Sequence, residues 1–430
     1  MTILTDRAHL HTSVKSAPGV LSPVSSGVVS SGVVSSGVVR LMLTDFRNYP
    51  HLRLDLDTRP VVLTGKNGVG KTNILESLSF LTAGRGLRGA KLADVGRRAP
   101  QETTDRPWAI SVDLETPAGT TRLGTGIDAA SPDRRSVHID GKVAKGAAAL
   151  AQHVGAVWLT PAMDRIFSDS PGERRRFIDR LVTVLDPDHA SRCAAYEQAN
   201  RRRARLFRDG VTDESWFEAL EDTLARYGVA IAAGRRETIA RLNGVLAESD
   251  GPFPSATLGL TGQIDDWLES HAAVDAEDLF RKDLIVSRQA WTRAGDAPQP
   301  QGPNRSDLYV TMAKTGRLAA ECSTGEQKAL LVSIVLAHVE LQSARRGFPP
   351  LLLLDEVAAH LDSDRRRHLF DHVLASGAQA WLTGTDVAMF KDLADAAQVF
   401  AVSEAQVVPL SSPMPSAAVV ALQPSLKSSV

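Results

Sequence analysis

The stretch that decides the fold lies in the first fifth of the chain and reads Gly65-Lys66-Asn67-Gly68-Val69-Gly70-Lys71-Thr72. It follows the apolar run Val61 to Thr64 and precedes a helical pattern from Asn73 to Leu81, which predicts a strand, a Gly-rich turn and a helix. Glycines let the backbone N–H groups face a phosphate, and the helix adds the positive end of its dipole. We therefore predict that all eight residues bind ATP, with Lys71 at the β and γ phosphates and the hydroxyl of Thr72 on Mg²⁺.

An apolar strand followed by two acids lies far downstream of this loop. Leu351 to Leu354 is an unbroken apolar run, and Asp355 and Glu356 follow it directly. An ATPase with a P-loop needs a carboxylate at the end of such a strand to hold the Mg²⁺ shell, and we assign that role to Asp355. Glu356 is then placed to polarise the attacking water, so Glu356 and Lys71 are the predicted catalytic residues. An acidic pair that ends a strand is common by itself, and the interpretation depends on the P-loop.

A third motif lies just ahead of that strand, where the chain reads Ser323-Thr324-Gly325-Glu326-Gln327-Lys328 before an apolar helical pattern. Ser and Gly at a helix start offer backbone N–H groups to an anion, here a γ-phosphate from outside the chain's own P-loop. An ordinary N-capped helix explains the same residues, because Glu326 would complete a capping box with Ser323. The residues themselves leave both interpretations open.

The composition is that of an ordinary globular protein, with 49 Lys and Arg against 50 Asp and Glu in 430 residues. This balance gives no overall positive field, so any contact with nucleic acid must come from local patches. Cys193 and Cys322 lie far apart and lack a zinc-type spacing. No apolar run is long enough for a secretory signal or a membrane span. We expect a soluble cytoplasmic protein that does not engage a membrane.

Composition also divides the chain into segments. A Ser-Ser-Gly-Val-Val pentad repeats three times near the start, so residues 1–39 are predicted to be a disordered or non-native extension. Residues 404–430 are rich in Ser, Pro and Ala and are predicted to be a flexible tail. Between them strands alternate with helices, which indicates an α/β ATPase domain in two parts, 40–171 and 297–403. Residues 172–296 are predicted to form a mainly helical insertion.

Taken in order, the three motifs resemble the Walker A, signature and Walker B motifs of ABC-type ATPases. The resemblance implies an α/β head with an inserted, mainly helical arm, which binds ATP and Mg²⁺ and forms a head-to-tail homodimer with ATP. It places the signature of one head on the γ-phosphate held by the other, through Ser323, Gly325 and Gln327. Asp362 falls where the superfamily has its D-loop and is carried over as a further nucleotide contact.

Smaller motifs resemble those of the RecF family of bacterial replication and repair proteins, which have a short helical arm between Walker A and the signature. They are Leu43-Thr44-Asp45-Phe46-Arg47-Asn48-Tyr49, Gly84-Arg85-Gly86-Leu87-Arg88, Leu159-Thr160-Pro161 with Arg174-Arg175-Arg176-Phe177-Ile178-Asp179, and Gly302-Pro303-Asn304-Arg305-Ser306-Asp307. Ala162, Asn304 and Ala359 depart from the family pattern, and no contact is carried over to them.

The resemblance implies binding to single-stranded and gapped DNA, slow ATP hydrolysis that DNA stimulates, and cooperation with RecO and RecR in loading RecA. Residues 172–208 are dense in arginine, and we expect Arg201, Arg202 and Arg203 to contact DNA phosphates. A solvated helical face with internal ion pairs explains the same arginines. Two other functions stay open. One is a DNA clamp gated by nucleotide without meaningful turnover; the other is a transport-coupled ATPase subunit, against which the long gap between Walker A and signature argues.

Overall fold

The structure is a computed structural model, and it describes residues 35–97, 106–128, 130–249, 251–294 and 300–410. The strands of this described part are β1 (Gly37–Phe46), β2 (Tyr49–Asp55), β3 (Val61–Thr64), β4 (Ala109–Thr116), β5 (Gly119–Asp128), β6 (Ser131–Ile139), β7 (Lys142–Val143), β8 (Ala156–Leu159), β9 (Ala256–Thr261), β10 (Asp307–Met312), β11 (Leu351–Leu354), β12 (Ala380–Gly384), β13 (Gln398–Ser403) and β14 (Gln406–Pro409). Its α-helices are α1 (Lys71–Ser79), α2 (Pro171–Leu185), α3 (His189–Arg208), α4 (Glu214–Glu248), α5 (Gln263–Ser270), α6 (Ala273–Ala294), α7 (Thr324–Arg346) and α8 (Ser363–Ser376). Among these helices, none combines the length and the apolar character needed to cross a membrane.

A mainly parallel sheet carries the predicted nucleotide motifs. Its strand order is β14-β13-β3-β12-β11-β8, and only the pairing of β13 with β14 is antiparallel. β3, β8 and β11 are buried along their whole length, as expected for strands covered on both faces. Parallel pairing brings the carboxyl ends of β3, β11 and β12 to one edge of the sheet. The loop after β3, the acids after β11 and the end of β12 therefore meet there.

A second sheet is antiparallel, with the order β2-β1-β4-β5-β6-β7. Leu41 and Leu43 of β1 point into the core, because alternate residues of a strand share one face. Phe46, at the end of the same strand, packs edge-on against Phe80 and Trp108, with ring centroids 6.1 and 5.7 Å away. Since Phe80 directly follows α1, this aromatic cluster ties the antiparallel sheet to the helix behind the P-loop.

Helices α2 to α6 form the arm. It has a core of its own, which consists of the buried side chains of Tyr196, Ala199, Leu224, Ala225, Val229, Ile231, Ala232, Ile264, Ala276, Phe280 and Leu284. The second half of α4 joins the main core of the protein through Ile239, Leu242 and Leu246. β9 of the arm pairs antiparallel with β10, which lies beyond the predicted boundary at residue 296. The predicted boundary therefore divides a two-stranded sheet.

Both predicted tails extend too far into the folded domain. β1 begins at Gly37, the hydroxyl of Ser36 donates to the carbonyl of Pro349 at 2.8 Å, and Val38 is fully buried. At the other end, β14 pairs with β13, so Gln406–Pro409 belong to the mainly parallel sheet. The remaining parts of the two predicted tails, residues 1–34 and 411–430, lie outside the described residues.

Candidate nucleotide-binding site

The Gly-rich loop after β3 has the backbone that a phosphate cradle requires. Gly65, Gly68 and Gly70 all have positive φ angles, of 150°, 83° and 114°. At Gly65 a Cβ atom would lie 2.3 Å from the carbonyl oxygen of Val402, so no larger residue fits there. No side chain caps the helix that begins at Lys71, and its first turn contains no acid. The free N–H groups at this positive helix end suit an anion.

The ammonium of Lys71 lies over this loop. Its Nζ donates to the carbonyl oxygens of Gly65 at 2.6 Å and Lys66 at 2.9 Å. Burial lowers the pKa of Lys71 from its ordinary value, while the carboxylates of Glu356 and Asp355 raise it and partly oppose that effect. Phosphate oxygens can replace these two carbonyls, because a phosphate offers the ammonium a full negative charge as well as hydrogen bonds.

Thr72 and Asp355 meet at the carboxyl edge of the sheet, as the sequence predicts for a metal site. The hydroxyl of Thr72 lies 2.9 and 3.0 Å from the two carboxylate oxygens of Asp355. The hydroxyl of Thr383, in β12, donates to the same carboxylate at 2.8 Å. One carboxylate and one hydroxyl on neighbouring elements are the oxygen ligands that Mg²⁺ prefers, so these residues fit the ion.

Glu356 is held in an unusual backbone conformation. Its φ is 54°, in the left-handed region, which costs about 1–2 kcal/mol for a residue with a Cβ atom. Its N–H donates to Thr383 Oγ1 at 2.9 Å, so the hydroxyl that donates to Asp355 also fixes the next residue. This role of Thr383 is not evident from the sequence. Glu356 and Asp355 are among the residues that line a groove of about 1650 Å³, which is open to solvent and can supply an attacking water.

The turn between β1 and β2 supports the P-loop from outside. Asn48 Nδ2 donates to the carbonyl of Val69 at 3.1 Å, and its Oδ1 accepts from Asn73 at 2.7 Å. The hydroxyl of Tyr49 donates to the carbonyl of Gly70 at 3.2 Å. These contacts give the family-like turn motif a physical role, because they fix both the loop and the first turn of α1.

The helix behind the P-loop carries a fully buried acid, Glu76, which two arginines neutralise. Arg47, in the same turn motif, binds Glu76 at 2.5 Å, and Arg88, in the basic segment after α1, binds it at 2.6 Å. Arg88 also donates to Asn73 at 2.7 Å. Two of the short motifs that suggested the family therefore converge on α1.

The signature residues Ser323 and Gln327 make hydrogen bonds within and just before the first turn of α7. Ser323 is the N-cap, and its contacts with Glu326 form the capping box that the sequence left as one interpretation. Gln327 is buried, and its Nε2 donates to the carbonyl of Cys322 at 2.9 Å. Gly325 lies in the first turn of the helix, and Asp362 caps α8. Among the described residues, no hydrogen bond or ion pair joins these four residues to the P-loop of the same chain.

The family follows from comparison with known proteins. A family model described as "RecF/RecN/SMC N terminal domain" matches residues 37–407. The DNA replication and repair protein RecF of Mesorhizobium japonicum is 45% identical over 86% of this chain and 97% of its own length. The RecF protein of Agrobacterium fabrum is 46% identical over 85% of this chain and 96% of its own length. The chain belongs to the RecF family.

Solved structures agree on the fold. One described as the recombination mediator protein "RecF-ATPrS in RecFOR pathway" matches with a TM-score of 0.75 at 19% identity, over 88% of this chain and 99% of its own. A second structure, described as "RecF-ATP", matches with a TM-score of 0.74 at 20% identity. The match covers 89% of this chain and 100% of the other. The α/β head predicted from the P-loop, signature and Walker B motifs is thereby confirmed.

Arg203 is not available to DNA, and its prediction as a phosphate contact is wrong. Its side chain is 3% exposed and pairs at 3.1 Å with Glu221, which is 1% exposed. Its Nη2 also donates to the carbonyl of Leu284 at 2.8 Å. Arg203 therefore belongs to the interior of the arm. Arg201 and Arg202 are exposed, and Arg201 makes only a 3.4 Å pair with Glu197.

Other arginines of the same stretch hold the arm to β10. Arg174 binds Asp307 through two hydrogen bonds of 2.8 and 2.7 Å, and Arg175 donates to the carbonyl of Ser306 at 2.9 Å. Two further family-like motifs are thus joined to each other. Arg174 and Arg175 therefore fit neither interpretation of the arginines, because they bind the start of β10 and do not form a solvated face. Any DNA surface has to be sought among the exposed arginines.

Proposed function

We propose that the chain is an ATP-dependent DNA-binding protein of recombination repair. In this proposal it binds single-stranded and gapped DNA and, with RecO and RecR, helps to load RecA. Slow, DNA-stimulated ATP hydrolysis controls a head-to-tail homodimer. The observation that carries the proposal is the junction of the P-loop with Asp355 and Thr383 at one edge of the parallel sheet.

ATP binding is supported by the uncapped start of α1 and by the position of Lys71. The loop from Gly65 to Thr72 would surround the phosphates, with the ammonium of Lys71 providing the anchoring charge. Mg²⁺, which Thr72 and Asp355 would hold, supplies neutralising charge at the phosphates. Related proteins are described with ATP, which agrees with these residues.

Hydrolysis is assigned to Glu356 as the general base. Its carboxylate follows the metal-side acid directly and lines the open groove, while the Thr383 hydroxyl fixes its backbone. A base in this position accepts a proton from water as the water attacks the γ-phosphate. The strained backbone supports the assignment, because unusual conformations of this kind gather at catalytic positions.

A second copy of the chain is required because the ATP site of one chain lacks contacts from the signature residues. Ser323, Gly325 and Gln327 start a helix whose positive end suits a γ-phosphate. In the described part of one chain, Ser323 and Gln327 bond to residues near them and to Ser168, and none of the three is bonded to the P-loop. A head-to-tail dimer would place them on the partner's ATP, together with Asp362. The relatives' name, DNA replication and repair protein RecF, supports DNA as the other ligand.

The test is ATP hydrolysis by the full chain with and without gapped duplex DNA. We expect DNA to stimulate turnover in the wild type. Glu356→Gln should retain ATP binding and lower turnover by roughly 10²- to 10⁴-fold. Glu115→Gln makes the same chemical change at an exposed position of β4 and should have no effect. ATP-dependent DNA binding without turnover would favour the nucleotide-gated clamp, and the absence of both would refute the proposal.

A further inference from the structure

A single carboxylate oxygen at the start of α7 accepts three hydrogen bonds. Glu326 Oε2 takes the backbone N–H of Ser323 at 2.8 Å, the hydroxyl of Ser323 at 2.9 Å and the guanidinium of Arg317 at 2.7 Å. These donors surround the positive end of the helix, where the proposed dimer needs an anion from the partner. In the separate chain the anion is Glu326.

Arg317 reaches this place from the turn between β10 and α7. Its side chain is 44% exposed, and its Nε contacts Cys322 Sγ at 3.3 Å, which directs the other end of the guanidinium toward Glu326. The N–H and hydroxyl of Ser323 lower the pKa of Glu326 below its ordinary value, and Arg317 adds to this effect. Glu326 is therefore ionised at neutral pH, and Arg317 is its only ion-pair partner among the described residues.

The charges at this helix end have opposite effects on an incoming phosphate. An ionised carboxylate repels a γ-phosphate that approaches Ser323, and it also competes with that phosphate for the serine hydroxyl. A guanidinium at the same point offsets the repulsion and can donate to phosphate oxygens. The side chains are exposed, so each effect is moderate and is reduced by salt.

We propose that Glu326 competes with the partner's γ-phosphate for the signature serine and that Arg317 is a positioning residue that offsets this competition. The proposal rests on the ATP-driven dimer proposed above and adds to it a control of dimer strength. The chain holds its signature in a satisfied, closed arrangement until a nucleotide on a second copy replaces the carboxylate.

The experiment uses the full chain with Mg²⁺ and a non-hydrolysable ATP analogue, and it measures the dimer dissociation constant by sedimentation. Glu326→Gln retains a side-chain oxygen for the capping box but removes the charge, so the dimer should become tighter. Arg317→Gln leaves the carboxylate uncompensated, so the dimer should become weaker. If each site changes the dimer dissociation constant by about threefold, the constant of a symmetric dimer with two such sites changes by about tenfold. The double variant restores the local net charge and should return close to the wild type.

Matched controls separate these effects from a change in total charge or in folding. Glu115→Gln and Arg305→Gln alter the same charges at exposed positions that lack an ion pair among the described residues, and they should not shift the constant. Binding of the analogue by dilute monomer and the thermal midpoint should be unchanged in Glu326→Gln and Arg317→Gln. Shifts of the two variants in the same direction, or no shift in either, would overturn the inference while leaving the dimer intact. A wild-type chain that stays monomeric with nucleotide would contradict the proposed dimer, and this inference with it.

Discussion

Replacing Arg203 with Ala is expected to destabilise the arm by about 3 kcal/mol. Removing one partner of a buried ion pair costs about 3–5 kcal/mol, because the other charge stays buried without compensation. Glu221, which would be left behind, keeps a second arginine, Arg288, whose Nε lies 3.5 Å from its other oxygen. This remaining partner places the expected cost at the low end of the range. The lost hydrogen bond to Leu284 and the contact of the guanidinium with the Phe207 ring, 4.7 Å away, act in the same direction.

Denaturation of the full chain in urea, followed by tryptophan fluorescence, measures this cost. Trp216, Trp267 and Trp291 belong to the arm and report on its unfolding. Arg202→Ala is the matched control, because the neighbouring side chain is exposed and its loss should change stability by less than about 0.5 kcal/mol. If the two variants are equally stable, the Arg203 pair does not stabilise the arm and the side chain is free for another role.

Three further changes test other parts of the molecule. Thr383→Val removes the hydroxyl that joins the two acids, so ATP turnover should fall by about tenfold or more, whereas Thr383→Ser should keep most of it; equal rates for the two variants would argue against the shared hydroxyl. Changing Arg201 and Arg202 together to Ala should reduce the log-log salt dependence of duplex DNA binding by up to about 0.9 per lost contact, and an unchanged slope would show that neither contacts a phosphate. Deleting residues 1–38 should cost about 1.5–3 kcal/mol more than deleting 1–34, because only the longer deletion removes a fully buried valine of β1; identical thermal midpoints would contradict this.

The parts of the site that the sequence predicted are those in which neighbouring residues decide the chemistry. The loop from Gly65 to Thr72 and the acids at Asp355 and Glu356 each follow an apolar run, and the structure has a strand at each of these places. Short apolar strands bounded by turn residues can be read locally. The signature is ambiguous because its sequence also fits a purely local role. The capping box of Ser323 and Glu326 can form at the start of α7 whether or not a second chain is present.

The bond that Thr383 makes to each of the two acids could not be predicted, because it depends on strand register. Thr383 lies far along the chain from Asp355, and the two meet only because β11 and β12 pair in parallel with Leu354 opposite Leu382. No local pattern fixes that register. The hydroxyl is therefore visible only once the sheet is built.

The buried position of Arg203 is indicated by the periodicity of the sequence. Tyr196, Ala199, Arg203 and Phe207 recur at steps of three and four residues, which places them on one face of α3. Arg201 lies about 160° away around the helix from Arg203, so consecutive arginines point to different environments. The three consecutive arginines therefore do not form one surface cluster. The buried acid that receives Arg203 lies on another helix, and its position required the tertiary structure.

The central claim is that a working ATP site combines the P-loop of one chain with the signature of another. It is tested most directly by ATP turnover in a mixture of Lys71→Ala and Ser323→Arg. Each variant alone should be inactive, because every site in its homodimer carries one defect. Mixing should restore about a quarter of wild-type turnover, because random pairing makes half of the dimers mixed and each mixed dimer has one intact site. A mixture that stays as inactive as its parents although mixed dimers form, together with ATP-driven dimerisation of Ser323→Arg alone, would contradict the claim; without that dimerisation, the inactive mixture would mean that both sites must fire together.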